Sequence, residues 1–308
     1  MTSILVSGGA YCFVILIYIG EIASKDVRGI LLTFFQISLK LGILFIYVLG
    51  SSVEILTQNI VCSLLVIVYV ILFTFLPESP VYLIRKNQIE KAQKTLEYLR
   101  AYDSKLEILE YQQQFEKAQK APKSSFFKEI RKHKNFKPFI IIVILFVFFQ
   151  MTGINAVTTY STAIFMEAGS SVLPTTATII VGLAQVVATF STVFFVDRFG
   201  RVFLLKVSFC VMITGLLGIS TYFCIKESGA KFLLDNILWL PLPSISIFVI
   251  GFSLGVGPVP FIILGEIFSS EAKSVIAPFS QTMNFVTTFF IGIGFPTFSQ
   301  MIGTGLTF

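Results

Sequence analysis

Residues 148–161 read FFQMTGINAVTTYS, and within these fourteen positions lie Gln150, Thr152, Asn155, Thr158, Thr159, Tyr160 and Ser161, set in one of the most apolar parts of the chain. Amide side chains donate and accept hydrogen bonds at once and carry no charge that would demand a counter-ion. In a continuous helix Gln150, Asn155 and Thr159 or Tyr160 share one broad face, so the stripe can line a cavity, and Gly153 would let a neighbouring backbone or a ligand approach closely. The chemistry such residues offer is exchange of hydrogen bonds with a neutral polar ligand. Covalent chemistry has no candidates: the sequence shows no pair of catalytic carboxylates, no nucleophile with a base, no phosphate loop and no metal-ligand spacing. The reading is therefore not an enzyme, with no cofactor and no metal. Cys12, Cys62, Cys210 and Cys224 all fall in apolar runs as small core residues, and His133 stands alone in a basic loop.

The elements that must hold these groups are membrane spans. The 308 residues are 55% hydrophobic and 13% charged, with mean hydropathy +0.85, far from the composition of a soluble domain. Apolar runs of about 20 residues or more cover 4–23, 30–50, 55–76, 138–166, 172–196, 202–225, 238–267 and 275–302, eight in all. Lys25, Arg28, the basic set from Arg85 to Lys137, Arg198, Arg201 and Lys273 follow the odd-numbered spans, whereas the turns at 51–54 and 167–171 hold no Lys or Arg. Positive charge stays on the cytoplasmic side, which places 77–137 inside and those two turns outside. The net charge of +6 is thus a topology signal, and no stacking motif accompanies it to suggest nucleic acid. Domains follow as 1–76, a partial helical bundle; 77–137, a cytoplasmic linker of surface helices rich in Lys, Glu, Gln and Leu; and 138–308, a second bundle.

An internal repeat gives the count of helices. Tyr18 to Gly29 reads YIGEIASKDVRG and Ile263 to Ser274 reads ILGEIFSSEAKS; at a shift of 245, Glu21 falls on Glu266, Arg28 on Lys273 and Gln36 on Gln281. Parallel repeats of this kind occur in transporters. The unit is six spans, and two units make twelve, so the chain reads as the fourth span of one unit to the fifth of the next. Such a fragment leaves a cavity open to lipid and is expected to carry no transport by itself. In both copies an acid stands seven residues before a base at the cytoplasmic end of a span, where a carboxylate can accept bonds from backbone or guanidinium groups and latch bundles together. Gly255, Gly257, Pro258 and Pro260 interrupt the seventh span, and proline both removes a donor and bends a helix, so a hinge is expected there. Lys40 lies mid-span, four residues after Gln36 and on its side of the helix. A charge there costs at least about 2.5 kcal/mol on insertion scales. A cation in the pathway would narrow the range of ligands or favour an anionic group; a snorkelling lysine is the other reading.

Five elements in register, YIGEIASKDVRG, LPESP at 76–80, QMTGINAVTTYS, VDRFGR at 196–201 and GVGPVPFIILGEIF at 255–268, resemble the sugar porter branch of the major facilitator superfamily over nearly the whole chain, with facilitated trehalose and glucose carriers nearest in pattern. The resemblance implies an all-α membrane protein with a partial major facilitator fold: about eight transmembrane helices, a cytoplasmic helical linker, and a sugar bound between two bundles and moved by alternating access. It implies a multi-pass protein of the plasma membrane whose partners are a small sugar and the lipid bilayer, with no obligate protein partner. A sugar's hydroxyls each need a donor or acceptor on entering a dry pocket, which gives the amides their purpose. By resemblance Gln36, Gln185 and Asn284 match sugar-facing amides; Phe149 stands where the family has the first of two glutamines, leaving Gln150; and Phe261 and Phe285 stand where tryptophan is frequent, keeping an apolar face without an indole donor. Asp197, Arg198 and Arg201 match the family's gating turn, whose charges pair with helix ends including Glu21 and Glu266. Two alternatives stand beside the carrier reading: a non-transporting sugar sensor, for which Phe149 and Lys40 speak, and a seven-helix receptor, against which the six-span repeat and the central basic loop speak.

Overall fold

Helices account for nearly all of the computed structural model, with no strand among the residues it describes: 15, 18–19, 21–23, 28–100, 107–109, 111–113, 130, 133–268 and 270–308. The helices are α1 (Arg28–Ser52), α2 (Ile55–Thr74), α3 (Pro80–Arg85), α4 (Ile89–Arg100), α5 (His133–Met151), α6 (Ile154–Ala168), α7 (Pro174–Phe199), α8 (Arg201–Glu227), α9 (Lys231–Ile237), α10 (Pro241–Gly251), a π-helical turn (Phe252–Val256), α11 (Val259–Ile267), α12 (Ser270–Ile302) and α13 (Thr304–Thr307). Seven stretches of the described residues are long and apolar enough to cross a membrane, and they coincide with seven of the eight expected spans. The first expected span, 4–23, lies almost wholly outside the described residues.

Local sequence sets the boundaries. Proline opens α3, α7 and α10 at the first helical turn, where its missing N–H has no partner to lose. Ser79 caps α3 by accepting from Tyr82 N–H at 3.3 Å. Between α7 and α8 the chain turns on Gly200, whose φ of 78° a side chain would disfavour.

The chain divides into two compact units: residues 1–35 with 53–125, and residues 36–52 with 126–308. The core of the second unit gathers α6, α7, α8 and α10 around Phe165, Met212, Ile219, Tyr222, Phe223, Ile245 and Phe248; a smaller cluster of Ile142, Phe146, Leu264, Phe268 and Ile276 joins α5, α11 and α12. Small residues let α8 and α10 meet backbone to backbone. A Cβ on Gly215 would stand 2.6 Å from the Phe248 amide nitrogen, and one on Gly255 would stand 2.6 Å from the Leu204 carbonyl oxygen. In the first unit α2 is apolar on every side and none of its residues is buried.

Two spans contain backbone breaks: the one in 138–166 departs from the continuous helix expected there, and the one in 238–267 begins just before the Gly255, Gly257, Pro258 and Pro260 expected to interrupt it. The expected span 138–166 is two helices separated at Thr152–Gly153. Gly153 adopts φ 73° with nothing within 4 Å of where its Cβ would lie, so the glycine serves the backbone and makes no close approach to a neighbour, contrary to the expectation for it. The span 238–267 is interrupted by the π turn, closed by Gly257 N–H donating to Phe252 O at 2.8 Å.

The π turn leaves backbone groups without the usual helical partners, and neighbouring hydroxyls take them. Ser208, fully buried on α8, donates to Gly251 O at 2.6 Å and accepts from Val256 N–H at 3.0 Å. Thr192 on α7 donates to Ser253 O at 2.8 Å. Non-helical backbone at membrane depth is tolerated where protein satisfies it in this way. Ser208→Ala removes one donor and one acceptor from buried groups, and a loss of about 1–3 kcal/mol of stability is expected, read as a lowered Tm in a detergent thermal-shift assay.

Candidate functional site: a chain of amides

The helix break at Gly153 decides the geometry of the polar stripe. On an unbroken helix residues five apart point about 140° away from each other, so the shared face expected of Gln150 and Asn155 would not arise from a continuous helix. Here the break turns Asn155 back on Gln150, and Asn155 Nδ2 donates to Gln150 Oε1 at 2.6 Å. The bonding then passes to α12: Gln150 Nε2 donates to Asn284 Oδ1 at 2.8 Å, and Asn284 Nδ2 donates to Gln281 Oε1 at 3.3 Å. Gln150, Asn284 and Gln281 are buried, and Asn155 is half-buried. Four amides from three helices thus form one directional chain. It leaves a carbonyl oxygen on Asn155 at one end and an amide N–H on Gln281 at the other, neither with a side-chain partner among the described residues. Polarised chains of this kind strengthen their terminal donor and acceptor. A ligand that presents hydroxyls, each donor and acceptor, complements both ends.

Aromatic rings flank the chain. Phe149, next to Gln150, meets Phe252 and Phe261 edge to face at centroid distances of 5.0 and 5.9 Å, and Phe261 meets Phe146 at 5.2 Å. Phe252 is the first residue of the π turn. The aromatic group therefore sits between the amides and the backbone break. Lys40, on the part of α1 that belongs to this unit, lays its Nζ 5.7 Å from the centroid of the Phe252 ring. It has no carboxylate partner among the described residues. A cation–π contact is worth about 0.5–2 kcal/mol, short of what a mid-span charge costs.

Other residues picked from the sequence lie elsewhere. Tyr160 bonds through its hydroxyl to Gly292 O at 3.3 Å and stacks on Phe295. Gln185 is 1% exposed on α7 with an unpartnered Nε2 among the described residues, and it does not join the amide chain. Gln36 is half-buried, and Phe285 is 43% exposed. Thr152 and Thr158 spend their hydroxyls on their own helix carbonyls. Gln281 was absent from the sequence-derived candidates although the repeat had already paired it with Gln36; its position three residues before Asn284, on the same helix face, is the signal that could have found it.

Of the gating residues, Glu21 is resolved in contact: it accepts from Ser79, the cap of α3, within the first unit. Arg100 at the end of α4 donates to Ile22 O at 2.8 Å and makes a two-point bond to Glu107 at 3.1 and 2.9 Å. The described contacts of this end of the unit therefore run through Ser79, which the charge pattern did not mark, and through Arg100, a member of the basic set from Arg85 to Lys137. Arg198 is exposed and Arg201 half-buried. The side chains of Arg28, Asp197, Glu266 and Lys273 lie outside the described residues.

The comparisons with known proteins bear on all of this. The family model described as "Sugar (and other) transporter" matches residues 5–308. The chain belongs to that sugar transporter family. Among its relatives are proteins named facilitated trehalose transporter Tret1 from Polypedilum vanderplanki, 35% identical over 93% of this chain and 57% of that protein, and from Culex quinquefasciatus, 32% identical over 94% of this chain and 56% of that protein. The chain spans just over half the length of these relatives. Among solved structures, the xylose transporter XylE from E. coli in a partially occluded inward-open conformation aligns with TM-score 0.74 at 22% identity, covering 95% of this chain and 62% of that one. XylE bound to 6-bromo-6-deoxy-D-glucose, described as a major facilitator superfamily proton:xylose symporter, aligns with TM-score 0.70. This member of the sugar transporter family therefore has the major facilitator fold and is a multi-pass membrane protein.

Arg100→Ala is expected to release the stretch around Ile22 from α4. Hydrogen–deuterium exchange at residues 20–23 should rise by about tenfold or more, as a lost charge-assisted bond of about 1.5–3 kcal/mol implies, while exchange in α8 and α10 stays unchanged.

Proposed function

We propose that the chain forms the greater part of a sugar carrier of the plasma membrane that moves a hexose or a disaccharide such as trehalose by alternating access. The observation that carries the reading is the amide chain Asn155–Gln150–Asn284–Gln281. It is uncharged, built from three helices, and ended by one acceptor and one donor, which is what a ligand made of hydroxyls requires when it leaves water. Family membership supports the same reading, and relatives named as facilitated trehalose transporters support the substrate class.

The mechanism follows from the two breaks. Alternating access requires a span to bend without leaving backbone groups bare in lipid. The π turn at Phe252–Val256, followed by Gly257, Pro258 and Pro260, is proposed as the hinge, because Ser208 and Thr192 hold its free carbonyls. Phe252 and Phe149 lie edge to face, so bending at the hinge shifts the ring beside Gln150. In this way an occupied amide chain and the bent state of the span favour one another. Glu21, Arg28, Asp197, Arg198, Arg201, Glu266 and Lys273 are proposed to close the cytoplasmic side.

Uptake of radiolabelled glucose and trehalose by cells expressing the full-length protein that carries this sequence tests the reading. Gln150→Ala breaks the chain at its centre and is expected to reduce uptake of the transported sugar by about 10- to 100-fold, the loss of one or two ligand bonds in a dry site, at equal surface expression. Uptake that is indifferent to Gln150→Ala and to Asn284→Ala would remove the amide chain from the mechanism.

A further inference from the structure

The amide chain accounts for a neutral ligand and leaves Lys40 without a purpose. The lysine lies in the interior of α1, within the stretch Phe34–Ser52 that is long and apolar enough to cross a membrane. Its residue is half-buried, so it keeps access to open space, and its ammonium is held over the ring of Phe252 and not turned toward a helix end. That ring is in edge contact with Phe149, the neighbour of Gln150. Around the ammonium, no carboxylate from α1, α5, α7, α8, α10 or the π turn pairs with it among the described residues. A buried cation is retained where something supplies the opposite charge. Among the described residues the aromatic face of Phe252 is what meets it.

We propose that Lys40 is a substrate-recognition residue and that the favoured substrate is an anionic sugar, one whose carboxylate or phosphate meets the ammonium while its hydroxyls meet the amide chain. The inference rests on the sugar-carrier reading and narrows its substrate class. The ring of Phe252 positions the ammonium, and the four neutral amides cannot neutralise it. A carboxylate or phosphate on a substrate in the space beside Phe149 completes the pair with a charge-assisted bond. Lys40 then discriminates by charge, and the amides by the pattern of hydroxyls.

The test is equilibrium binding of three radiolabelled probes, D-glucose, D-glucuronate and D-glucose 6-phosphate, to the full-length protein in nanodiscs at neutral pH. The wild type is expected to bind one or both anions at least about tenfold more tightly than glucose, and which of the two it prefers separates carboxylate from phosphate recognition. Lys40→Met should abolish that preference, and Lys40→Arg should restore it. Equal or weaker binding of both anions by the wild type, or a preference that survives in Lys40→Met, overturns the proposal. Lys40→Arg also guards against misfolding, since it preserves charge with a different shape. Gln150→Ala reports separately on the carrier reading: if all three probes bind it as they bind wild type, that reading fails, whereas a lost anion preference in Lys40→Met alone leaves Lys40 in place. Absence of saturable binding for every probe overturns both.

Discussion

A polar group placed inside a membrane span has no water to fall back on, and the cost of leaving it unmatched, a few kcal/mol, governs where every amide, hydroxyl and broken helix in this protein can sit. The chain from Asn155 through Gln150 and Asn284 to Gln281 is a solution to that constraint: each inner amide satisfies the next. The end oxygen of Asn155 and the end amide of Gln281 remain to be matched, together with the second N–H of each inner amide. A site built this way stays neutral and folded when empty, yet presents unmet hydrogen-bonding capacity to a ligand.

The same constraint explains where the backbone can bend. Gly153 permits a left-handed turn that a side chain would resist, and the turn swings Asn155 onto Gln150. The π turn at Phe252–Val256 would expose carbonyls to hydrocarbon were it not for Ser208 and Thr192 on adjacent spans. The two breaks are joined through Phe149 and Phe252, so the element that can bend and the amides that can bind share a wall. Lys40 over Phe252 adds the single feature of this region that neutral partners do not explain.

Much of this was legible before any coordinates. Hydropathy placed seven of the spans, since a run of apolar residues long enough to cross a bilayer has few other uses. The repeat around Glu21 and Glu266, with the other four motifs, pointed to the family. Gln150 and Asn155 were visible because amides are rare in such runs, and Asn284 through the resemblance to the family. What escaped was anything that depends on φ rather than on polarity. A continuous helix was the natural expectation for 138–166, and only the left-handed Gly153 shows that Asn155 meets Gln150 across a break. Gln281 was overlooked because nothing in the sequence fixes the direction of its side chain, which its bond from Asn284 shows. Ser208 was invisible for the same reason: a serine in an apolar run gives no hint that it holds a π turn on a neighbouring helix. Tyr160 drew notice as part of the stripe and lies with Phe295 and Gly292 instead, because the break rotates α6 relative to α5.

The most direct test of the central claim, that the amide chain takes up a sugar that arrives from the aqueous side, is cysteine labelling. On a background in which Cys12, Cys62, Cys210 and Cys224 are replaced, Asn155→Cys and Gln281→Cys would be treated with a membrane-impermeant maleimide in intact vesicles, with and without the transported sugar. The account predicts that both positions react and that sugar slows the reaction severalfold. Reaction only with a lipid-soluble reagent, unaffected by sugar, would contradict it.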